Sequence, residues 1–176
     1  MPKKKKICII VDIDGTIVNE KDNSQIILPI EDNREIWDLF HKNKKYYTIS
    51  QFKQNKNVVE IIKSLIKNIP DLFIVFLTAR EDVKDKPIFI NTYRLVKKIF
   101  NYQPNDFGRK FTILMRKHND FRHSDKVKED ILNKEILHDY SPLLAIDDEE
   151  PNVKMFENNN ISCLKVIKKG ELLNGK

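Results

Sequence analysis

Short, uninterrupted apolar runs alternate along the chain with longer stretches in which apolar residues recur every three or four positions. The runs have the length of buried strands, and they lie at 7–11, 72–77, 111–115, 143–146 and 161–167. The amphipathic stretches predict helices at 57–70, 87–100, 125–138 and 151–158. Strands that alternate with helices favour crossover connections and a parallel sheet. We therefore expect one α/β domain over residues 1–176, a three-layer, Rossmann-like parallel sheet with helices on both faces.

Several residues predict where these helices begin and end. Asn57, followed by Glu60, has the pattern of a reciprocal N-terminal cap, and Pro70 is expected to end that helix. Pro87 and Pro151 each suit the first turn of the helix that follows. Residues 19–57 interrupt the alternation, and a short helix is predicted within them near 31–40.

Composition narrows the class of protein. The chain has 176 residues, with 32 basic and 26 acidic side chains and a formal net charge of +6, which permits a phosphate-rich partner. Cys8 and Cys163 both lie in apolar runs, so a disulfide scaffold and a cysteine zinc site are excluded and a reducing, cytoplasmic location is expected. No apolar run approaches the ~20 residues that span a bilayer, and we expect neither membrane association nor a signal peptide.

One segment is strongly basic. Between His41 and Asn57 lie five lysines and no acidic residue, with Tyr46, Tyr47 and Phe52 among them. Lysines neutralise phosphates and aromatic faces stack on bases, so this segment fits a contact with a nucleic-acid strand. It equally fits a solvated loop whose aromatic side chains hold it to the core, and the sequence leaves both interpretations open.

Carboxylates follow the ends of two predicted strands. Asp12 and Asp14 follow the first strand and Asp147 and Asp148 follow the fourth, while Thr78 follows the second. In open parallel sheets the carboxyl ends of the strands border the ligand crevice. Clustered carboxylates raise each other's pKa, and a Mg²⁺ ion bound with a substrate phosphate resolves the repulsion. The pattern therefore predicts a magnesium-dependent site for a phosphate.

Three motifs resemble those of the haloacid dehalogenase (HAD) superfamily of phosphotransferases. Asp12-Ile13-Asp14-Gly15-Thr16-Ile17 is similar to its first motif, Leu77-Thr78-Ala79-Arg80 to its second and Ala145-Ile146-Asp147-Asp148 to its fourth. They occur in the order of the family and span most of the chain. The resemblance implies a HAD-like fold and phosphoryl transfer.

The resemblance also implies a role for each acidic residue. Asp12 is the expected nucleophile, which forms an aspartyl phosphate, and Asp14 is the expected general acid and base. Mg²⁺ is expected to be held by Asp12, by the backbone carbonyl of Asp14 and by Asp147. Asp148 is expected to orient the metal or its waters.

The phosphate contacts and the third motif complete the expected site. Thr78 is expected to donate to a phosphate oxygen, and the backbone N–H groups around Gly15 and Thr16 are expected to cradle the anion. The third motif requires a lysine beside the nucleophile. Lys126 and Lys128 both qualify, and we favour Lys128 because the stretch around it, 127–131, resembles the phage form of this motif.

Two longer stretches are similar to the phosphatase domain of bacteriophage polynucleotide kinases, at 114–128 and 142–148. In that family, arginines that match Arg80, Arg116 and Arg122 lie around the phosphate and the nucleic-acid path, a task that suits the planar guanidinium. The intervals between the motifs leave no room for a large cap domain. We therefore expect a nearly capless, open site that admits a bulky substrate.

Two positions depart from the phage pattern. Ser124 stands where the phage enzymes have an acid, and Glu149 stands where they have a basic residue. We expect these departures to affect how the substrate strand is held and to leave the catalytic set unchanged. A kinase half is not expected, because the one partial Gly-rich phosphate loop, at 170–176, lacks the Ser or Thr that must follow.

The resemblance implies a Mg²⁺-dependent phosphomonoesterase that removes the 3′-phosphate from nucleic-acid ends, with a separate kinase or ligase as a possible partner. The alternative is a small-molecule phosphatase such as a 5′- or 3′-nucleotidase. In that case the same catalytic residues would serve, and residues 19–57 would fold over the site as a small lid.

Overall fold

A computed structural model describes residues 5–20, 52–82 and 88–167. The strands of these ranges are β1 (Lys6–Val11), β2 (Val18–Glu20), β3 (Phe52–Gln54), β4 (Phe73–Asp82), β5 (Phe111–Lys117), β6 (Tyr140–Asp147) and β7 (Cys163–Lys165). The helices are α1 (Lys56–Asn68), α2 (Ile88–Phe100), α3 (Ser124–Ile131) and α4 (Glu150–Asn158). A 3₁₀ turn covers Pro104–Asp106, and α3 continues through a π-helical turn (Leu132–Ile136) and a last α-helical turn (Leu137–Asp139).

Five strands form one parallel sheet in the order β5-β4-β1-β6-β7. Alternate residues of a strand point to opposite faces, so each apolar run supplies two cores. Ile9 and Phe76 belong to the core that α1 and α2 cover. Ile10 and Val75 belong to the core that α3 and α4 cover. The predicted α/β sheet with helices on both faces is therefore confirmed.

Several predicted boundaries moved for physical reasons. The predicted cap at Asn57 is wrong, because α1 begins one residue earlier behind Asn55, and Glu60 pairs with Lys63 on the helix surface (3.0 Å). The helix ends before Pro70 as predicted, since the residue before a proline disfavours helical backbone. Pro151 lies in the first turn of α4, as predicted. The predicted helix near 31–40 and Pro87 lie outside the described residues.

The strands of the sheet differ in length from their apolar runs: β5 and β6 are longer than the predicted 111–115 and 143–146, and β4 and β7 differ most in consequence. The strand predicted at 72–77 continues to Asp82, because its polar end pairs with β5, Glu81 opposite Arg116 and Asp82 opposite Lys117. The strand predicted at 161–167 is shorter and covers Cys163–Lys165. The extension of β4 matters most, because it carries Thr78 and Arg80 at the edge where the acidic residues lie.

A small antiparallel hairpin follows β1. Val18 pairs with Gln54 and Glu20 with Phe52, so β2 and β3 bring together the two ends of the segment 21–51. Between Arg80 and Lys128, the main described elements are α2 and β5, which belong to the layers of the main fold. Across the ranges that the structure describes, no helix is both long enough and apolar enough for a membrane crossing.

Candidate active site

The carboxyl ends of β1, β4 and β6 meet at one edge of the sheet. Asp12 directly follows β1, and its backbone N–H donates to the carbonyl of Ile146 (2.9 Å), which ties it to the end of β6. Asp147 is the last residue of β6, and Thr78 lies on β4 beside them. The crossover topology therefore brings together residues that are up to 135 positions apart in the sequence.

A buried lysine joins two of these acids. Lys128 Nζ donates to Asp12 Oδ1 (2.8 Å) and to Asp147 Oδ2 (2.7 Å), and the lysine is only 2% exposed. Lys126 is exposed and lies near Asp125 and Glu129 instead. Lys128 reaches the acids because it faces inward from the second turn of α3, whereas Lys126 faces solvent.

The directions in which the pKa values of Asp12 and Lys128 are shifted show that this cluster of carboxylates favours a bound cation. Burial raises the pKa of Asp12 well above its ordinary value, and Asp147, Asp148 and Asp14 raise it further, against the opposing effect of Lys128. Burial alone would lower the pKa of Lys128, but Asp12 and Asp147 outweigh it and raise that pKa. The lysine therefore stays charged, and one positive charge does not balance the surrounding carboxylates.

The donor set fits a hard divalent cation. Asp12, Asp147 and Asp148 each offer an oxygen, and these atoms lie within 4.8 Å of one another. Asp12 Oδ2 is buried and has no hydrogen-bond partner among the described residues, a costly state for a carboxylate oxygen unless a ligand completes it. Oxygen ligands of this kind are those that Mg²⁺ and similar ions prefer.

The turn after β1 packs tightly against Asp148. Gly15 has φ +86°, and a Cβ at this position would lie 2.1 Å from Asp148 Oδ2. Thr16 is buried and its hydroxyl donates to Asp148 Oδ1 (3.3 Å). The N–H of Gly15 donates to the carbonyl of Val18 (2.8 Å). This N–H is therefore used within the turn, whereas the family resemblance implies that it faces the anion.

We expect Gly15→Ala to lower kcat/KM by about 10–100-fold, because the new methyl group must displace Asp148. Gly108→Ala is the matched control: Gly108 also has a positive φ (+73°), but a Cβ there meets nothing within 4 Å. Both variants should lose about 1–3 kcal/mol of stability from backbone strain, and the control should keep its activity. Equal activity of the two variants would contradict the packing argument.

A buried arginine holds Asp14. Arg80 donates through Nε to Asp14 Oδ2 (2.8 Å) and through Nη2 to Asp14 Oδ1 (2.7 Å), in the bidentate geometry of the strongest arginine–carboxylate pairs. Arg80 Nη1 donates to Thr92 on α2 (2.9 Å), and its guanidinium lies 4.8 Å from the ring centre of Phe52. Thr78 Oγ1 is 3.4 Å from Asp14 Oδ2. Asp14 is 40% exposed, so it is oriented from behind while it faces the crevice.

The other two arginines organise the loop after β5. Arg116 is buried and donates to three backbone carbonyls, those of Ala79 (3.0 Å), Asp120 (2.7 Å) and Arg122 (2.5 Å). Arg122 is half-exposed and pairs with Asp120 (2.7 Å) and Asp130 (2.8 Å), which raise its pKa further. Arg116 thus braces the loop, and Arg122 is presented at its surface.

Sequence reasoning missed three side chains of the site. Thr92 on α2 supports Arg80, and Asn152 on α4 donates to Asp147 Oδ1 (3.0 Å). Glu81 is buried, and its Oε1 accepts a hydrogen bond from the Asn119 N–H (2.8 Å). The same oxygen lies 2.6 Å from His118 Nδ1. None of them belongs to a motif. A single polar residue on an amphipathic helix, such as Thr92 or Asn152, carries no signal until the helix is packed, and Glu81 lies in the polar end of β4 that no apolar run reveals.

The parallel sheet, the acidic turn after β1 and the inward lysine of α3 together define a phosphatase of the HAD superfamily. Residues 6–171 match the family described as the polynucleotide kinase PNKP phosphatase domain, and the chain belongs to that family. No curated protein matches the chain.

Two solved structures of Pnkp1/Rnl/Hen1 complexes contain a chain with the same fold. The chain is similar to a chain in the "Structure of Pnkp1/Rnl/Hen1 complex", with 20% identity, a TM-score of 0.63 and coverage of 92% of this chain and 46% of that chain. A chain of the Pnkp1/Rnl/Hen1 RNA repair complex matches with 20% identity, a TM-score of 0.64 and coverage of 92% and 42%. The HAD domain of the effector protein Lem4 from Legionella pneumophila matches with 16% identity, a TM-score of 0.49 and coverage of 96% and 92%. The chain spans less than half the length of the two complex chains that it matches.

Proposed function

We propose that this phosphatase removes the 3′-phosphate from nucleic-acid ends, depends on Mg²⁺ and acts through an aspartyl phosphate on Asp12. The observation that carries the chemistry is the state of Asp12: its Oδ1 is held by Lys128, while its buried Oδ2 meets no hydrogen-bond partner in the ranges that the structure describes. A carboxylate with one oxygen fixed and the other open is suited to attack an electrophilic phosphorus.

Asp12 and Asp14 divide the chemistry between them. Asp12 attacks phosphorus, and the bond to the leaving 3′ oxygen breaks while Asp14 gives that oxygen a proton. Asp14 then takes a proton from the water that hydrolyses the aspartyl phosphate. Arg80 fixes the direction of Asp14 from behind, and the carboxyl group is 40% exposed towards the crevice, where the proton is exchanged.

Asp12, Asp147 and Asp148 would hold the Mg²⁺ ion, together with the backbone carbonyl of Asp14. When bound, the ion neutralises charge on the transferring phosphoryl group and keeps the nucleophile ionised. Lys128 contributes a second positive charge from the buried side, where it contacts Asp12 and Asp147 at once. Thr78 lies within reach of Asp14 and is placed to donate to a phosphate oxygen.

Membership of the polynucleotide kinase phosphatase family supports a nucleic-acid end as substrate, and the RNA repair complex of a structural relative agrees with it. The loop after β5 begins at the same edge of the sheet as Thr78 and presents exposed basic side chains, Lys117, His118 and Arg122. Within the described part of the chain, Arg122 Nη1 makes no hydrogen bond and is available to a backbone phosphate. A 3′-hydroxyl is what a ligase requires, so a separate kinase or ligase fits as a partner.

Of the basic segment 41–57, the structure describes only the end. Lys53 and Lys56 are exposed, as a strand contact requires. Phe52 instead lies against Arg80 and is buried, so it supports the site from within and does not offer its face to a base.

Phosphate release from matched substrates tests this function. We expect fast, Mg²⁺-dependent release from a 3′-phosphorylated oligonucleotide and little from its 5′-phosphorylated twin or from a free 3′-nucleotide. KM for the oligonucleotide should rise steeply with salt, since several phosphate contacts release counterions. Release from the free nucleotide alone, with a KM that salt does not change, would replace the proposal with a nucleotidase.

A further inference from the structure

A hydrogen-bond network lies behind Asp147, on the side away from Lys128. Asp147 Oδ1 accepts from the Glu149 N–H (3.0 Å) and from Asn152 Nδ2 (3.0 Å). The same Nδ2 donates to Glu149 Oε2 (2.9 Å), and the Ser124 hydroxyl donates to that carboxylate oxygen (2.5 Å). Asn152 is fully buried and Ser124 is nearly so, so water does not compete for these bonds.

This network fixes which oxygen of Asp147 is available. Oδ1 is occupied by two N–H donors, which leaves Oδ2 for Lys128 and for a cation. A ligand carboxylate that is held in this way loses little freedom when a metal binds, and outer contacts of this kind tune metal affinity.

The network also joins two helices. Ser124 is the first residue of α3, and Lys128 lies one helical turn further along the same helix. Glu149 and Asn152 lie at the start of α4. The bond between Ser124 and Glu149 therefore holds the first turn of α3 against α4, and this sets the position from which Lys128 reaches the acids.

Ser124 and Glu149 are the two positions at which the sequence departs from the phage pattern. We had expected them to affect only the substrate strand, but they contact each other and reach Asp147 through Asn152. An acid at position 124 would place two carboxylates within hydrogen-bond distance, whereas a hydroxyl supplies the proton that Glu149 needs. The two departures are thus complementary to each other.

We propose that Ser124 and Glu149 form one positioning pair. The pair holds Asp147 in place through Asn152, and it holds Lys128 in place through α3. An acidic residue at position 124 together with a basic residue at position 149 can take over this role. The pair touches neither substrate nor reacting atoms. The assignment rests on the proposed function only in taking Asp147 as a ligand of the metal.

A charge-exchange cycle on the full chain tests the pair. The variants are Ser124→Asp, Glu149→Arg and the double variant. The first readout is the apparent Mg²⁺ dissociation constant, obtained without substrate from the rise of Tm with Mg²⁺ concentration. The second readout is kcat and KM for the 3′-phosphorylated oligonucleotide.

Each single variant should weaken Mg²⁺ binding and lower kcat by about 10–100-fold, with KM little changed. The double variant should recover most of both losses, because the new ion pair restores the link between α3 and α4. Glu150→Arg is the matched control: it makes the same charge change one position later, where Glu150 pairs with the exposed Lys154 and Lys165, and it should resemble the native protein.

A double variant no better than the worse single variant would overturn the pair, and so would single variants that bind Mg²⁺ normally. If Ser124→Asp does not fold, Ser124→Ala and Ser124→Thr replace it in the comparison, because only threonine keeps the hydroxyl group. Equal Mg²⁺ affinity of these two variants would also overturn the positioning pair. If the variants show the expected differences in Mg²⁺ affinity but the native protein releases no 3′-phosphate, the proposed substrate is wrong and the positioning pair still stands.

Discussion

Asp12→Asn should lower the rate of phosphate release by a factor of roughly 10⁴ or more, because the amide cannot attack phosphorus. The fold should survive, since burial already disfavours the charged form of Asp12 and the amide has the same shape. Tm should equal or exceed that of the native protein. Native enzyme given a 3′-[³²P]phosphorylated oligonucleotide should become transiently labelled, and the variant should not.

Asp71→Asn provides the control for this substitution. It makes the same chemical change in the exposed turn between α1 and β4, at a backbone φ of +56° that asparagine tolerates. Activity and Tm should both stay at the native values. Continued turnover by Asp12→Asn, at a rate comparable to this control, would exclude Asp12 as the nucleophile.

Lys128→Met should cause the second large loss, this time of both stability and activity. The substitution leaves Asp12 and Asp147 buried without their shared cation, which costs about 3–5 kcal/mol of unfolding free energy at neutral pH. Urea unfolding without divalent ions measures this cost. Mg²⁺ should recover part of it, and kcat should fall by about 10²–10³-fold.

The pH dependence of that loss has a definite sign. Asp12 has a folded-state pKa above its unfolded value, and without Lys128 it rises further. A raised carboxyl pKa destabilises the fold as the pH rises above the unfolded value of about 3.9, and the cost disappears below it. The difference in stability between Lys128→Met and the native protein should therefore be largest near pH 7 and narrow towards pH 4.

Lys126→Met is the matched control, the same substitution two residues earlier at an exposed position. It should change the unfolding free energy by less than about 0.5 kcal/mol. A Lys128→Met protein as stable as this control, or a stability difference that does not change with pH, would contradict the ion-pair argument.

The layers of the fold could be predicted from the sequence because the central strands β1 and β4 are buried on both faces and therefore contain unbroken apolar runs. The ends of the elements could not. The polar half of β4, Thr78 to Asp82, belongs to the sheet only because β5 lies beside it, and no local pattern shows that pairing. The helix start at Lys56 was missed because a local capping pattern at Asn57 competed with it.

The candidate site divides in the same way. The residues of the acidic motifs were predicted because strand ends of a parallel sheet share one edge, and Lys128 lies against them. The supports of these residues depend on tertiary packing, and Thr92 and Asn152 became visible only with α2 and α4 in place. Resemblance gave no warning that Ser124 and Glu149 contact each other, because it compares positions one at a time.

The hairpin of β2 and β3 has an evolutionary consequence. Its pairing fixes the two ends of the segment 21–51 beside each other, whatever lies between them. Lengthening a connection whose ends are already pinned costs only about 0.6 kcal/mol for each doubling. Descendants of this gene could therefore acquire, lose or exchange that segment with little penalty to the parallel sheet, and the edge that carries Asp12, Thr78 and Asp147 would be inherited unchanged.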